Sequence, residues 1–245
     1  MKILGIDIGG SAVKGAPVDT KTGRLLAERH RIATDGKPNP VQMAETVKEL
    51  AAHFKWRGPI GVGFPGVIHG PRIFTSANLH KDFCGCDAVS LFGQSTGCRV
   101  ALVNDADAAG LAEIRFGAGR NVSGTVLLLT LGTGVGSALF SDGRLYQNSE
   151  LGHLPIRGKS AERFVSSAAK VRRDLSYRKW GKELGDYVHI LENILWPELI
   201  IIGGGVSKDH QKFFKHIKPR AKLVPAEFFN EAGIVGAALW AAELK

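Results

Sequence analysis

Apolar and polar positions in this chain switch between a period of two and a period near 3.6. Residues 3–8 are a β-branched run that stops at Gly9-Gly10, and residues 12–18 alternate into a turn at 19–23. That pattern predicts a hairpin, with a third strand inside 25–33. Residues 40–56 place Val41, Ala44, Val47, Leu50, Ala51 and Phe54 at helical intervals behind an Asn39-Pro40 start. A strand is expected at 60–64, ended by Pro65-Gly66, then a short helix at 87–95 and a strand at 99–103. The alanine-rich 105–116 predicts a helix. The strands 125–131 and 137–140 flank a glycine turn and repeat the opening pattern. Helices follow at 161–175, 184–195 and 207–217, strands at 199–202 and 223–225, and an alanine-rich helix at 231–244. Strands and helices interleave throughout, which predicts an α/β fold.

The repetition has a register. Sliding the chain by 123 positions sets Gly9 on Gly132, Asp19 on Asp142, and Ile6 and Ile8 on Leu129 and Leu131, although Val18 falls on Ser141. Gly-Arg-Leu follows in both copies, at 23–25 and 143–145. Two related lobes are therefore expected, 1–103 and 104–230, with the closing helix 231–245 packed back on the first.

Composition adds direction. The chain has 245 residues, 31 of them glycine, and a formal charge of +9. Such a charge attracts polyanions without choosing among them. Three cysteines, Cys84, Cys86 and Cys98, are too few for a disulfide framework and suggest a reducing compartment. The start, MKILGIDIGG, lacks a signal-like apolar run, and no apolar stretch approaches the ~20 residues of a membrane helix. A cytoplasmic protein without membrane partners is expected.

Glycine is concentrated where chemistry could sit. Asp7-Ile8-Gly9-Gly10-Ser11, with Lys14 beyond, puts an acid at a strand end and bare backbone N–H groups at a hairpin tip. That suits a hydrated metal and an anion, or simply a tight hairpin with a surface acid. Leu131-Gly132-Thr133-Gly134-Val135-Gly136 leads into a strand, so it is a phosphate-cradling hairpin or a bulge rather than a dinucleotide fingerprint. Gly203-Gly204-Gly205-Val206-Ser207 lies between a buried strand and a helix, where a phosphate or flat ligand could approach and Ser207 would be the N-cap. Gly158-Lys159-Ser160 imitates the end of a P-loop, but its glycine spacing is wrong and Pro155 interrupts it. Asn104-Asp105, after a strand and opening a helix, could take a proton from a substrate hydroxyl or merely cap the helix. Glu150, His153 and Glu162 could bind a metal or a polyol. Zinc is not supported, because Cys84-Gly85-Cys86 has no second cysteine pair.

In this order the pieces resemble the ROK family of sugar kinases and repressors: DIGG at 7–10, Phe64-Pro65-Gly66, Asn78-Leu79, Val103-Asn104-Asp105, LGTGVG at 131–136, ELGH at 150–153 and IIIGGGVS at 200–207. The resemblance implies a two-lobed actin/hexokinase-like (ribonuclease H-like) fold and transfer of a phosphoryl group to the 6-hydroxyl of glucose. By that resemblance Asp105 is the catalytic base. Asn78, Asn104, Asp105, Glu150, His153 and Glu162 hold the sugar. Gly9, Gly10, Ser11, Lys14, Gly132, Thr133, Gly134, Gly204 and Gly205 surround the donor phosphates, with Asp7 near Mg²⁺ through water. Closing lobes would exclude water, and a homodimer is implied.

Most of the family carries a zinc-binding cysteine cluster after ELGH, whereas residues 154–170 here have no cysteine. That version looks like the polyphosphate-using branch, so the donor expected is inorganic polyphosphate, ATP being the alternative. Charge agrees: residues 151–224 hold fifteen Lys and Arg against seven Asp and Glu, whereas 1–150 hold sixteen against thirteen. The cations fall in two concentrations, from Arg157 to Lys182 and from Lys208 to Lys222. A basic track would bind a phosphate polymer by counterion release, and solvated helix faces are the plainer alternative. Few aromatics interleave with these cations, which argues against single-stranded nucleic acid. DNA-binding members carry a helix-turn-helix ahead of the kinase-like region. Only six residues precede Asp7, so a kinase without a nucleic-acid partner is expected.

Overall fold

The computed structural model describes residues 1–34, 36–76 and 79–243. The chain divides into two compact units, Met1–Ala112 with Glu231–Lys245, and Glu113–Asn230. The first division thus falls inside a helix, further along than the 103 boundary suggested by patterning.

The first unit is built on β1 (Lys2–Ile8), β2 (Ala12–Asp19), β3 (Arg24–Leu25), β4 (His30–Ala33) and β5 (Ile60–Phe64). A small separate hairpin, β6 (Ile68–His69) and β7 (Arg72–Ile73), precedes β8 (Val100–Asn104). The sheet runs β3-β2-β1-β5-β8, and β4 also pairs with β2. The expected third strand at 25–33 is thus two short strands. β1 and β2 are antiparallel, whereas β1, β5 and β8 are parallel. Helices α1 (Pro40–His53), α2 (Ala88–Thr96), α3 (Asp105–Phe116) and α8 (Ala232–Glu243) complete the unit. A capping box starts α1: Asn39 Oδ1 accepts the Gln42 N–H at 3.0 Å, and Gln42 Oε1 accepts the Asn39 N–H at 2.9 Å.

Strand period decides what β1 presents to each face. Leu4, Ile6 and Ile8 join Val47, Leu50 and Phe92 in one fully buried core. Ile3, Gly5 and Asp7 occupy the other face, where α8 lies close enough that a Cβ on Gly5 would stand 2.0 Å from the Ile234 carbonyl oxygen. Gly61 of β5 is equally tight, 1.8 Å from the Ala237 oxygen. Glycine at both positions is what lets α8 rest on the sheet, and Asp7 ends that row beside Gly233.

The second unit repeats the plan. Its strands are β9 (Thr125–Leu131), β10 (Val135–Ser141), β11 (Arg144–Tyr146), a side hairpin β12 (Pro155–Ile156) and β13 (Lys159–Ser160), then β14 (Leu199–Gly203) and β15 (Lys222–Pro225). Its sheet runs β11-β10-β9-β14-β15, strand for strand the order of the first. The Gly-Arg-Leu copies enter equivalent strands, β3 and β11. Helices are α4 (Glu162–Val165), α5 (Ser167–Arg172), α6 (Tyr177–Leu195) and α7 (His210–Phe213). The P-loop imitation is the β12–β13 turn, with Arg157 and Gly158 both at positive φ, 51° and 73°.

Three helix expectations are corrected. The helix at 161–175 breaks at Ser166, which is extended (ψ 157°) and caps α5 by accepting the Ala169 N–H at 3.0 Å. Tertiary bonds hold the break: Ala168 N–H donates to the Gly132 carbonyl at 3.0 Å, and Trp180 Nε1–H to the Val165 carbonyl at 3.1 Å. The helix at 184–195 starts earlier, at Tyr177, where the Ser176 side chain accepts the Lys179 N–H. The helix at 207–217 is α7 between 3-10 turns at Gly205–Asp209 and Phe214–His216. Ser207 is not its N-cap; its hydroxyl donates to the Gly204 carbonyl at 2.8 Å.

Candidate active site

In the first unit the two candidate acids stand at the carboxyl end of the parallel strands, where open α/β sheets bind ligands. Asp7 is paired across the hairpin with Lys14, whose Nζ lies 3.8 Å from Oδ2. Burial pushes the Asp7 carboxyl above its ordinary pKa, against the opposing pull of Lys14 and Arg29. Gly233 makes room for it, since a Cβ there would sit 3.0 Å from Asp7 Cγ. The hairpin tip is held by Gly9 N–H donating to the Ala12 carbonyl at 2.9 Å, leaving Gly10 and Ser11 exposed.

Asp105 opens α3, where the helix dipole favours a negative charge. Asp105 Oδ1 accepts the Ala106 N–H at 2.8 Å. Gly63 keeps the strand beside it open: a Cβ there would lie 3.8 Å from Asp105 Cα. Asn104 is 6% exposed and committed to the fold. Its Oδ1 accepts the N–H groups of Ala106 and Asp107, at 2.8 and 3.0 Å, and its Nδ2 donates to the Gly66 carbonyl at 3.1 Å. One Nδ2 proton remains for a ligand. Asn78 lies outside the described residues.

In the second unit, Gly132, Thr133 and Gly134 form the β9–β10 turn, closed by Gly132 N–H donating to the Gly134 carbonyl at 3.0 Å. The Gly203-Gly204-Gly205 turn meets it. Gly204 has φ 82°, and a Cβ there would be 2.5 Å from the Leu131 oxygen. Glu162 is beside the same turn, its Oε2 accepting the Val135 N–H at a long 3.4 Å.

The Glu150–His153 segment is pinned to β10. Leu151 N–H donates to Ser137 Oγ at 3.0 Å, Ser149 Oγ–H to the Ser137 carbonyl at 3.0 Å, and Ser137 Oγ–H to the Ser149 carbonyl. Gly152 is packed so tightly that a Cβ would stand 2.1 Å from the Val135 oxygen. His153 Nε2 lies 3.6 Å from Glu150 Oε2. Burial raises the Glu150 pKa above its ordinary value; His153 lowers it and Glu162 raises it further. Ser137, Ser149, Gly63 and Gly233 went unnoticed in the sequence, because isolated serines and single glycines carry no periodic signal.

Among the described residues no three His, Cys, Asp or Glu side chains gather as a metal cage, and no helix is long and apolar enough to cross a membrane. The three cysteines are free thiols.

Two units with one strand order, each opening on a glycine-tipped hairpin, define the actin/hexokinase-like class of α/β proteins. Residues 3–167 match the ROK family, and the chain belongs to that family. It is 44% identical over 237 residues to the polyphosphate glucokinase of Mycobacterium tuberculosis, covering 96% of this chain and 89% of that protein. Its structure is similar to that of the inorganic polyphosphate/ATP-glucomannokinase from Arthrobacter sp. strain KM, with a TM-score of 0.94, 44% identity and 98% of both chains covered. A ROK family glucokinase from Streptomyces griseus, solved with glucose and AMPPNP, shares the fold at a TM-score of 0.85 and 23% identity, over 99% of this chain and 100% of that one.

Proposed function

We propose that this protein transfers a phosphoryl group from inorganic polyphosphate to the 6-hydroxyl of glucose, giving glucose 6-phosphate. The 44% identity to a polyphosphate glucokinase over 96% of the chain carries this proposal. ATP is a second donor, a reading favoured by the similarity to a polyphosphate/ATP-glucomannokinase.

Phosphoryl transfer asks the protein mainly for positioning and charge stabilisation. Asp105 accepts the proton of the attacking hydroxyl, its ionised form favoured by the α3 N-terminus. Glu150, His153 and Glu162 take sugar hydroxyls, with the remaining Nδ2 proton of Asn104 and with Asn78. Backbone N–H groups at Gly9, Gly10, Ser11, Gly132, Thr133 and Gly134, with Lys14, Gly204 and Gly205, receive the donor phosphates.

Asp7 fits a hydrated Mg²⁺. It is a buried carboxylate at a strand end, its proton affinity raised, with Gly233 leaving space at its side. With one carboxylate available, the ion would complete its shell with water and donor phosphates. When bound, Mg²⁺ neutralises charge on the transferring phosphates. A homodimer, as the family resemblance implies, and a cytoplasmic setting, with which the free thiols agree, belong to the same proposal. Light scattering checks the first.

The deciding experiment measures glucose 6-phosphate formed with Mg²⁺ and either long-chain polyphosphate or ATP. Product from polyphosphate is expected; product from ATP alone would leave a strictly ATP-dependent hexose kinase.

A further inference from the structure

Within the second unit a cavity of about 420 Å³ opens beside the glycine turn, lined by Thr133, Glu162, Arg163, Ser166 and Arg172. It is built where the helix expected at 161–175 breaks. Ser166 is 1% exposed, and its Oγ accepts the Ala169 N–H, which leaves its proton for a ligand acceptor. Arg172 is held in place by donating from Nη2 to the Arg163 carbonyl at 3.0 Å.

The charge around this cavity is uneven. Nearby cations are occupied: Arg173 makes a two-pronged pair with Glu183 at 2.5 and 2.8 Å, Arg157 lies 3.8 Å from Asp186, and Lys170 sits 4.2 Å over the Tyr177 ring. Among the described residues neither Arg163 nor Arg172 has a carboxylate partner. The one acid at the rim, Glu162, turns to the hairpin, close enough that a Cβ on Gly134 would be 2.5 Å from its Oε2. Two unneutralised guanidinium groups, a buried hydroxyl and a glycine turn make an anion site rather than a solvated face.

We propose that this cavity is a phosphoryl subsite, in which Arg163 and Arg172 hold units of a condensed phosphate chain beyond the one transferred at the Gly132–Gly134 turn. The assignment rests on the polyphosphate donor proposed above and narrows the basic run 157–182 to two residues. A chain continuing past the turn engages both arginines, whereas a short phosphate ends before them. Affinity therefore grows with chain length.

The test compares wild type, R163Q, R163Q/R172Q and the charge-matched K179Q/K182Q, whose exposed lysines lie outside the cavity. Thermal melts confirm that each is folded. The readouts are the KM for long-chain polyphosphate and for tripolyphosphate, and the salt dependence of long-chain binding. R163Q/R172Q should raise the long-chain KM about tenfold and flatten the slope of log Kd against log salt by roughly 1.4, as expected for two lost phosphate contacts on a single strand. R163Q should fall between, and tripolyphosphate should be affected less. Equal effects from K179Q/K182Q would show a diffuse field and overturn the site, as would an unchanged long-chain KM in R163Q/R172Q. If wild type forms no product from any polyphosphate, the donor proposal itself falls, an outcome visible before any variant is compared.

Discussion

The carboxylate of Glu113 accepts the backbone N–H of Phe228 at 2.8 Å, across more than a hundred residues of sequence. The same oxygen takes the Glu227 N–H at 2.9 Å, and the other takes that of Ala118, also at 2.9 Å. Glu113 is fully buried. Glu113→Gln replaces one accepting oxygen with a donor that faces another donor. Stability should fall by about 1–3 kcal/mol, the cost of a buried polar group left without its partner. Urea unfolding of the two proteins measures it; an unchanged midpoint would show that these bonds contribute nothing net.

Gly152 is a second position with no tolerance. An added methyl would meet the Val135 carbonyl at 2.1 Å, so Gly152→Ala must lift the Glu150–His153 segment from β10. The glucose KM should rise severalfold while the protein stays folded, with a stability loss of about 1–3 kcal/mol from overpacking. Steady-state kinetics beside a thermal melt separates the two effects.

Asp105→Asn keeps the size of the side chain and its place at the start of α3 but removes the proton acceptor. Turnover should fall by about 10²–10⁴-fold, the usual worth of a positioned general base. Glucose affinity, followed by calorimetry, should stay near that of wild type. Retained turnover would remove Asp105 from the chemistry.

Glu150 should control the acid side of glucose binding. Burial raises its pKa, so the ionised, accepting form is lost on acidification at a pH above that of an ordinary glutamate. The sign for stability is opposite to that of a salt-bridged acid. The penalty of ionising Glu150 is present above its folded pKa and relieved as pH falls through it. Glucose kcat/KM should therefore decline with acid before the fold is lost, and Glu150→Gln should flatten that limb while lowering affinity at neutral pH. A limb that persists in the variant would assign it elsewhere.

What the sequence made legible was whatever repeats at a fixed period. The hairpin strands, the helix at 105–116 and the 123-residue slide all depend on local alternation, and the slide is realised as two sheets of one strand order. What escaped depends on partners remote in the chain. The break at Ser166 is held by Gly132 and Trp180, which no window around Ser166 contains. The serine clasp of Ser137 and Ser149 leaves no pattern, because each serine alone is unremarkable. Asn104-Asp105 carried two readings, and the structure divides them: the Asn104 oxygen caps α3, while Asp105 stands at the strand end as an acid. The glycines of β1 and β5 looked like weakened strand positions and are instead where α8 comes to rest.

The matching strand orders also bear on the chain's origin. On the 123-residue slide, Asp7 and Lys14 of the first copy correspond to Thr130 and Ser137 of the second. A cross-strand ion pair in one half is thus a pair of uncharged hydroxyls in the other, where Ser137 is spent on the clasp with Ser149. Duplication of an ancestral half supplied two equivalent hairpins, and the descendants have divided the labour, one retaining charge and the other specialising as a frame for the Glu150–His153 segment.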